Sequence, residues 1–331
     1  MNTFMVEPSP SAIGTATKKS ASEQDQTPLV GILLCTYNGG TFLREQLESF
    51  VAQTHKHWRL FVSDDGSTDE TLDILQEYRL KLGTQLTLLK GPQKGFAQNF
   101  MSLIRNPDVI CDTYAFSDQD DIWLADKLAR SLGSLESVKG NSPSLYCSRT
   151  RLVDTEGRVT GLTPLFRKLP SFKNALVQSL AGANTMMINE PARKLLARTD
   201  LDAPIVAHDW LAYLVVAGCG GQVIYDPEPT LLYRQHEDNL IGANTGFRSR
   251  LGRIQKMLGG RFRIWNEKNL RVMNAYSSSL TPENRHLLAQ FHDLRSHRLL
   301  QRLLALRAAG FYRQTVAGTL SLYVAVILHQ V

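Results

Sequence analysis

Residues Leu29 to Gly40 read LVGILLCTYNGG. From Leu29 to Thr36 the run is apolar without alternation, the pattern of a strand buried on both faces. Asn38-Gly39-Gly40 ends it, because Asn and Gly tolerate the backbone of a tight turn. Thr41 is placed to cap a helix to about Val51, with Phe42, Leu47 and Phe50 as its apolar residues. The same events then recur. Arg59 to Ser63 (RLFVS) predicts a second strand, closed by Asp64-Asp65-Gly66-Ser67, with a helix from Thr68 or Asp69 through Tyr78. Gln85 to Leu89 predicts a third strand, Ala97 to Arg105 a helix, and Thr113 to Ser117 (TYAFS) a fourth strand, with Asp118 to Asp121 just past its end. Strands alternating with crossover helices predict a doubly wound, mostly parallel α/β sheet. Ligands of such sheets bind beyond the carboxyl ends of the strands. The polar clusters Thr36–Asn38, Asp64-Asp65 and Asp118–Asp121 all fall at such ends.

After about residue 140 the pattern loosens. Leu145 to Val153 reads as a strand, with Asp154-Thr155-Glu156-Gly157 as a hairpin turn. Leu180 to Ile188 (LAGANTMMI) reads as another strand, followed by a helix from Glu190. Asp209 to Val216 reads as helix and Gln222 to Tyr225 as a short strand. From Phe247 onward the spacing is helical, through Leu251, Ile254 and Leu258 and later Leu299, Leu300, Leu303 and Leu304.

The chain has 331 residues, 43% apolar and 21% charged, an ordinary soluble composition long enough for one large domain with a helical appendage. Its net charge of +6 is uneven. Residues 247–331 carry 14 Lys or Arg against 3 Asp or Glu, a net +11, which leaves −5 for the first 246 residues. An acidic body suits metal binding; a basic tail suits an anionic surface, or is simply a solvated face. The dense run Arg248, Arg250, Arg253, Lys256, Arg261 and Arg263, interleaved with Leu251, Ile254, Met257 and Leu258, reads as a membrane-surface face or as a helical cap over an acceptor site.

Four cysteines, Cys35, Cys111, Cys147 and Cys219, form no CxxC pair and demand no disulfide, as expected of a cytoplasmic protein. Residues 1–28 have the composition of a disordered tail and lack the apolar core of a signal peptide. No stretch reaches the roughly 18 apolar residues of a spanning helix; the C-terminal TVAGTLSLYVAVILHQV reads instead as a buried or interfacial helix. A pI of 9.1 comes without a nucleic-acid recognition motif, so no nucleic-acid partner is expected.

Three strand-end clusters carry candidate chemistry. Asp118-Gln119-Asp120-Asp121-Ile122-Trp123 presents carboxylates to one point, and Mg²⁺ or Mn²⁺ takes such ligands together with substrate phosphates. It reads equally as an acidic turn capping a helix from about Ile122. Asp64-Asp65 at the second strand end offers a carboxylate to a pyrimidine imide N–H, or is turn chemistry. Tyr37 offers a stacking surface and Thr36 a hydroxyl, with Asn38 in the same turn.

TYNGG after strand one, DDGSTD after strand two and DQDDIW after strand four resemble the GT-A fold, family 2 glycosyltransferases, over roughly residues 29 to 245. The resemblance implies a GT-A sheet flanked by helices over 29–246, with 247–331 as a basic helical extension. It implies that Thr36, Tyr37, Asn38 and Asp64 or Asp65 hold the nucleoside, and that Asp118 and Asp120 meet the diphosphate and the metal, Asp120 as the direct ligand. Ala207-His208-Asp209-Trp210 resembles the family's segment bearing the catalytic carboxylate, usually Glu-Asp; here His208 stands for the Glu. Asp209 would then be the general base that deprotonates the acceptor hydroxyl. Judged without the resemblance, Asp209 reads as a helix cap.

Tyr233-Arg234-Gln235-His236, with Asn239 and Gly242, resembles the rhamnosyltransferase-like branch. The likeness implies a metal or diphosphate contact for His236 and a phosphate contact for Arg234. Gly182-Ala183-Asn184 fits the same branch, where this segment borders the acceptor pocket, and Trp210 is grouped with it. The family often has an Asn at the position of Asn99, close to the sugar donor or buried beneath it. Trp123 is expected to pack under the metal turn. The function so implied is inverting, metal-dependent transfer of a sugar from a nucleotide-diphospho-sugar to a lipopolysaccharide, O-antigen or other glycan or lipid-linked acceptor. Resemblance to the branch favours dTDP-L-rhamnose. The expected setting is the cytoplasm, with peripheral contact at the inner membrane. The rival readings are transfer of another UDP- or dTDP-hexose, or a silent nucleotide-sugar-binding assembly protein. A dehydrogenase would carry GxGxxG after strand one, and TYNGG is not that.

Overall fold

The computed structural model describes residues 27–138, 140–236, 260–296 and 298–331. Among them the elements run β1 (Val30–Thr36), α1 (Gly40–Val51), β2 (Trp58–Asp64), α2 (Thr71–Leu82), β3 (Leu86–Lys90), α3 (Phe96–Arg105), β4 (Thr113–Ser117), β5 (Ile122–Trp123), α4 (Lys127–Glu136), β6 (Ser144–Val153), β7 (Val159–Leu162), α5 (Phe172–Ala175), β8 (Met187–Asn189), α6 (Glu190–Leu196), α7 (His208–Gly218) and β9 (Gln222–Arg234). Four helices follow, Arg261–Ala275, Pro282–Asp293, Leu299–Ala309 and Val316–Ile327.

The strands form one sheet in the order β3-β2-β1-β4-β8-β6-β9-β5, with β7 beside β6. The first four are parallel, as the βα alternation requires. Beyond β4 the sheet becomes mixed: β8 runs antiparallel to both β4 and β6, while β6 and β9 are parallel. β1 is buried along all seven residues, which explains its unbroken apolar run. Thr36 lies opposite Asp64 and Leu34 opposite Ser117, so three polar strand ends emerge side by side.

Several local expectations differ from the fold. α1 begins at Gly40 without a side-chain cap of its own. Its first N–H groups are met from the neighbouring loop: Gly39 donates to Thr71 Oγ1 at 2.9 Å and Gly40 to Asp69 Oδ2 at 3.0 Å, so Thr41 is not the cap. α2 starts at Thr71 rather than at Thr68 or Asp69, because Ser67 and Thr68 bond back to Asp64 and Asn38 and the Asp69 carboxylate accepts from Gly40 N and Thr71 N. Leu180 to Ile188 yields a 3-10 turn, Ala183–Thr185, and only the short β8. The segment after Asp121 is not a helix: Ile122 and Trp123 pair antiparallel with Leu232 and Leu231. β9 runs on to Arg234 rather than stopping at Tyr225. It carries Pro227 and Pro229 because its register against β6 shifts between Ser148 and Arg149, a bulge that relieves the missing donors.

Residues of the C-terminal helices, among them Phe262, Met273, Phe291 and Leu322, share one apolar core with Tyr114 and Leu145 of the sheet and Tyr213 of α7. A second core lies across the sheet, under α1, α2 and α4. Cys35, Cys111 and Cys147 are buried and all four cysteines are free thiols. The basic run from Arg248 to Lys256, the apolar residues Leu251, Ile254, Met257 and Leu258, Asn239 and Gly242 lie outside the described residues, as do positions 1–26.

Candidate active site

The loop after β1 and the loop after β2 are tied together. Asn38 takes the left-handed backbone conformation, φ 47°, and its Oδ1 accepts from Thr68 N at 2.8 Å. Its own N–H donates to Ser67 Oγ at 2.9 Å. Asp64 is fully engaged: Oδ1 accepts from the Thr36 and Ser67 hydroxyls at 2.8 and 2.6 Å, and Oδ2 from Gly66 N and Ser67 N at 3.1 and 2.9 Å. A carboxylate has about four lone-pair sites, so Asp64 is spent on shaping the loop. Among the described residues Asp65 accepts from Gln93 N at 2.6 Å and Gly95 N at 2.9 Å, one bond per oxygen, and keeps capacity for a ligand. A side chain at Gly91 would come within 2.8 Å of Asn99 Oδ1, Asp64 O and Asp65 Oδ1, so glycine is what lets the three loops close together. Asn99 is buried, its Nδ2 donating to Ser63 O at 2.9 Å, which sets it beneath this floor.

Tyr37 stands out of the loop, 59% exposed. Its backbone is held by Gln119, whose Oε1 accepts from Tyr37 N at 2.9 Å and whose Nε2 donates to Tyr37 O at 3.0 Å. This two-point clamp joins the first loop to the acidic turn. Gln119 drew no role from the sequence, since one amide between aspartates has no local signal.

The acidic turn is braced from behind. Asn184 Nδ2 donates to buried Asp121 Oδ2 at 2.6 Å, and Lys127 Nζ donates to Asn184 O at 2.9 Å while lying 4.5 Å from the centre of the Trp123 ring. Trp123 packs under the turn, edge-on to Phe50. Burial, then the charges of Asp120 and Asp118, push the Asp121 carboxyl well up, and burial pulls the Lys127 ammonium down to about 7. Ala183 and Asn184 are themselves buried and Gly182 is exposed, so of this trio the glycine backbone faces outward. Removing the ammonium leaves the buried Asn184 carbonyl without its donor. Lys127→Met is therefore expected to lower the unfolding free energy by about 1–3 kcal/mol, read from the urea midpoint; an unchanged or higher midpoint would mean that this hydrogen bond does not brace the turn.

At the end of β9, Arg234 is buried and occupied. Nη2 pairs with Glu45 Oε2 at 2.6 Å, Nη1 donates to Thr155 O at 2.9 Å, and Nε to Asp120 O at 3.3 Å. Its guanidinium also lies 4.5 Å from the centre of the Phe42 ring. The structure uses it to hold the backbone of Asp120. His236 Nε2 lies 2.8 Å from Asp120 Oδ2, its ring 5.3 Å from that of Phe42. No cluster of three or more His, Cys, Asp or Glu among the described residues is arranged to hold a metal unaided. Asp120 and His236 nevertheless offer one carboxylate and one imidazole to the same point. Burial, then the charges of Asp120 and Asp209, push Asp118 up to about 7. Crowded carboxylates of this kind fit a divalent cation that takes one or two protein ligands and completes its shell with phosphate and water.

Asp209 lies at the start of α7. Oδ1 accepts from Trp210 N at 2.7 Å and Oδ2 from Ser179 Oγ at 3.4 Å, and burial raises its carboxyl to about 6. Trp210 is buried, donating Nε1–H to Ala175 O at 2.6 Å. His208 makes no contact with Asp209 of this kind: its ring stacks on Phe100 at 3.8 Å and meets Phe96 and Phe116 edge-on, and burial lowers it to about 3. It stays neutral and packs.

Glycosyl transferase family 2 is the family description that matches, over residues 31–196. The dTDP-rhamnosyl transferase RfbG of Shigella flexneri is 31% identical over 228 residues, 67% of this chain and 78% of that protein. The UDP-Glc:alpha-D-GlcNAc-diphosphoundecaprenol beta-1,3-glucosyltransferase WfaP of Escherichia coli is 30% identical over 113 residues, 34% of this chain and 43% of that protein. Among solved structures, S. aureus TarS 1-349 in complex with UDP-GlcNAc matches with TM-score 0.52 at 15% identity, covering 90% of each chain. The mannosyltransferase PcManGT from Pyrobaculum calidifontis, in complex with GDP-Man and Mn2+, matches with TM-score 0.50 at 15% identity, covering 86% of each chain. At that identity the likeness is one of fold.

Proposed function

Because this chain belongs to glycosyl transferase family 2 and has the GT-A fold, we propose that it moves L-rhamnose from dTDP-L-rhamnose onto a cell-surface glycan intermediate, inverting the anomeric centre. The observation that carries the reading is geometric. Gln119 clamps the Tyr37 loop to the acidic turn, and Arg234 and His236 at the end of β9 meet Asp120 of that same turn, so the groups proposed for nucleoside, diphosphate and metal are joined in one strand-end assembly. The dTDP-rhamnosyl transferase relative supports the donor, and the relative named for a diphosphoundecaprenol substrate supports a lipid-linked acceptor. Such an acceptor places the enzyme at the cytoplasmic face of the inner membrane.

In this reading the thymine stacks on exposed Tyr37, and its imide N–H is taken by Asp65 rather than by saturated Asp64. Asp120 and His236, with Asp118 beside them, would hold Mn²⁺ or Mg²⁺, which supplies charge neutralisation to the departing diphosphate. Asp209 accepts the proton of the acceptor hydroxyl. The oxygen bonds to C1 from the face opposite the diphosphate, and the C1–O bond to phosphate breaks with its electron pair. A single displacement of this kind inverts the centre. Gly182 borders the acceptor, and Trp210 backs Asp209.

The test is thermal unfolding in EDTA, then with Mn²⁺ or Mg²⁺ plus dTDP or UDP. A ligand that binds only the folded chain stabilises it, and at a hundredfold over Kd the gain is about 2.7 kcal/mol. We expect dTDP with metal to raise Tm by about 5 °C and EDTA to abolish the rise. A larger shift with UDP would move the donor to a UDP-sugar. No shift with either nucleotide would overturn the transfer reading in favour of a silent fold.

A further inference from the structure

The helices Leu299–Ala309 and Val316–Ile327 close the chain as a hairpin across the connection 310–315. One side is core: Leu306, Ala309, Leu322, Ala325 and Val326 are buried. The other side is also apolar, although it faces solvent. Leu300 and Leu304 are 70% and 61% exposed, and Val316, Leu320 and Val324 are 75%, 62% and 44% exposed, with Ile327 and Leu328 continuing the row. A spacing of four places each set on one helix face. A helix on the surface of a water-soluble fold carries charge on its outer stripe, yet Val316–Ile327 has none.

Within the hairpin the charge has a single sign: from Arg298 to Val331 there are four arginines and no Asp or Glu. Arg302 is buried and Arg313 bonds Val177 O and Ser321 Oγ, which leaves Arg298 and Arg307 at the surface. Arg307 is exposed near the end of the first helix, and Lys168 reaches the connection, its Nζ donating to Arg313 O at 3.0 Å. Lys173 Nζ lies beside Gly310. An apolar stripe rimmed by cations matches the layered chemistry of a lipid surface, acyl chains below anionic headgroups. No described helix is long and apolar enough to cross a membrane, so the fit is to lying on it. Self-association through this patch is the poorer fit: a two-fold contact sets each patch against its own copy, and arginine would meet arginine with no acid between them.

We propose that this terminal hairpin docks the protein flat on an anionic lipid bilayer. The inference deepens the reading of a lipid-linked acceptor by naming the surface that reaches it. Its test does not depend on transfer. The 331-residue chain is sedimented with phosphatidylcholine vesicles, with and without about 30% phosphatidylglycerol. We expect at least tenfold more binding to the anionic vesicles, weakened by high salt. Leu320→Glu/Val324→Glu is expected to lose that binding tenfold or more while keeping the nucleotide-dependent thermal shift, which reports an intact fold and donor site. Leu300→Glu provides the same reading from the other helix, and Arg307→Glu a weaker loss from the rim. Equal binding to both vesicle types, no binding at all, or undiminished binding by the apolar-face variants would overturn the proposal. So would a wild-type dimer that these variants convert to monomer without vesicle binding, which would give the face to a second copy of the chain.

Discussion

Asp209→Asn is expected to lower kcat on the order of 1000-fold, the usual worth of a positioned general base, while the affinity for the nucleotide changes by less than about twofold. The amide keeps the size of the carboxylate; its oxygen can still accept from Trp210 N, and its NH2 can donate to Ser179 Oγ in place of the bond that the carboxylate accepted, so geometry is conserved and the proton acceptor is lost. Burial raises the Asp209 carboxyl to about 6. Transfer by the wild type should therefore fall as pH drops through about 6, where the base becomes protonated. The sign for stability is the opposite. A carboxyl whose folded pKa is raised holds its proton more tightly in the folded state, so its contribution is present at low pH and is lost as pH rises from about 4 to about 6. Above pH 6 the buried charge is a cost, and Asp209→Asn should unfold at higher denaturant than the wild type, by about 1–3 kcal/mol. A variant that is more stable at pH 7.5 and nearly inactive would identify Asp209 as a base held at the expense of the fold. Near-normal turnover would remove it from that role.

Asp120→Ala carries the second large effect. Asp120 is the carboxylate that shares a point with His236 Nε2, and its backbone carbonyl is held by Arg234. The backbone anchor survives the substitution, so the turn should persist. Removing a negative charge beside Asp118 and Asp121 also relieves two carboxyls that it pushes up. The expected result is a chain that folds normally but loses kcat/KM by about 1000-fold or more, together with the metal-dependent part of the thermal shift on adding nucleotide. Transfer with a retained metal response would shift the metal contact to Asp118 or His236. A loss of folded protein would instead make Asp120 a brace for the turn.

Much of the fold was legible because its first half is local. Each strand from Val30 to Ser117 is a short apolar run closed by Asn, Asp or Gly, and each crossover is a helix of adequate length, so pattern and topology follow together. The second half was less legible for equally physical reasons. β5 has two residues and exists only because Leu231 and Leu232 lie across from it. β9 keeps its prolines only through a bulge against β6. Both depend on partners distant in sequence, which periodicity cannot report.

What the sequence determined by itself is the order of strand-end clusters, the family they resemble, and therefore the chemical types present: hydroxyl and aromatic at Thr36 and Tyr37, carboxylates at Asp64, Asp65, Asp118, Asp120, Asp121 and Asp209, imidazole at His236. Tertiary structure decided how those groups are spent. It consumes Asp64 in four internal hydrogen bonds and leaves capacity on Asp65. Arg234 is turned inward onto Glu45 and Asp120, and neutral His208 is stacked among phenylalanines. The reason is that a side chain's chemical type is written in one position. Whether it is free for a ligand depends on how many donors and acceptors the rest of the chain folds against it.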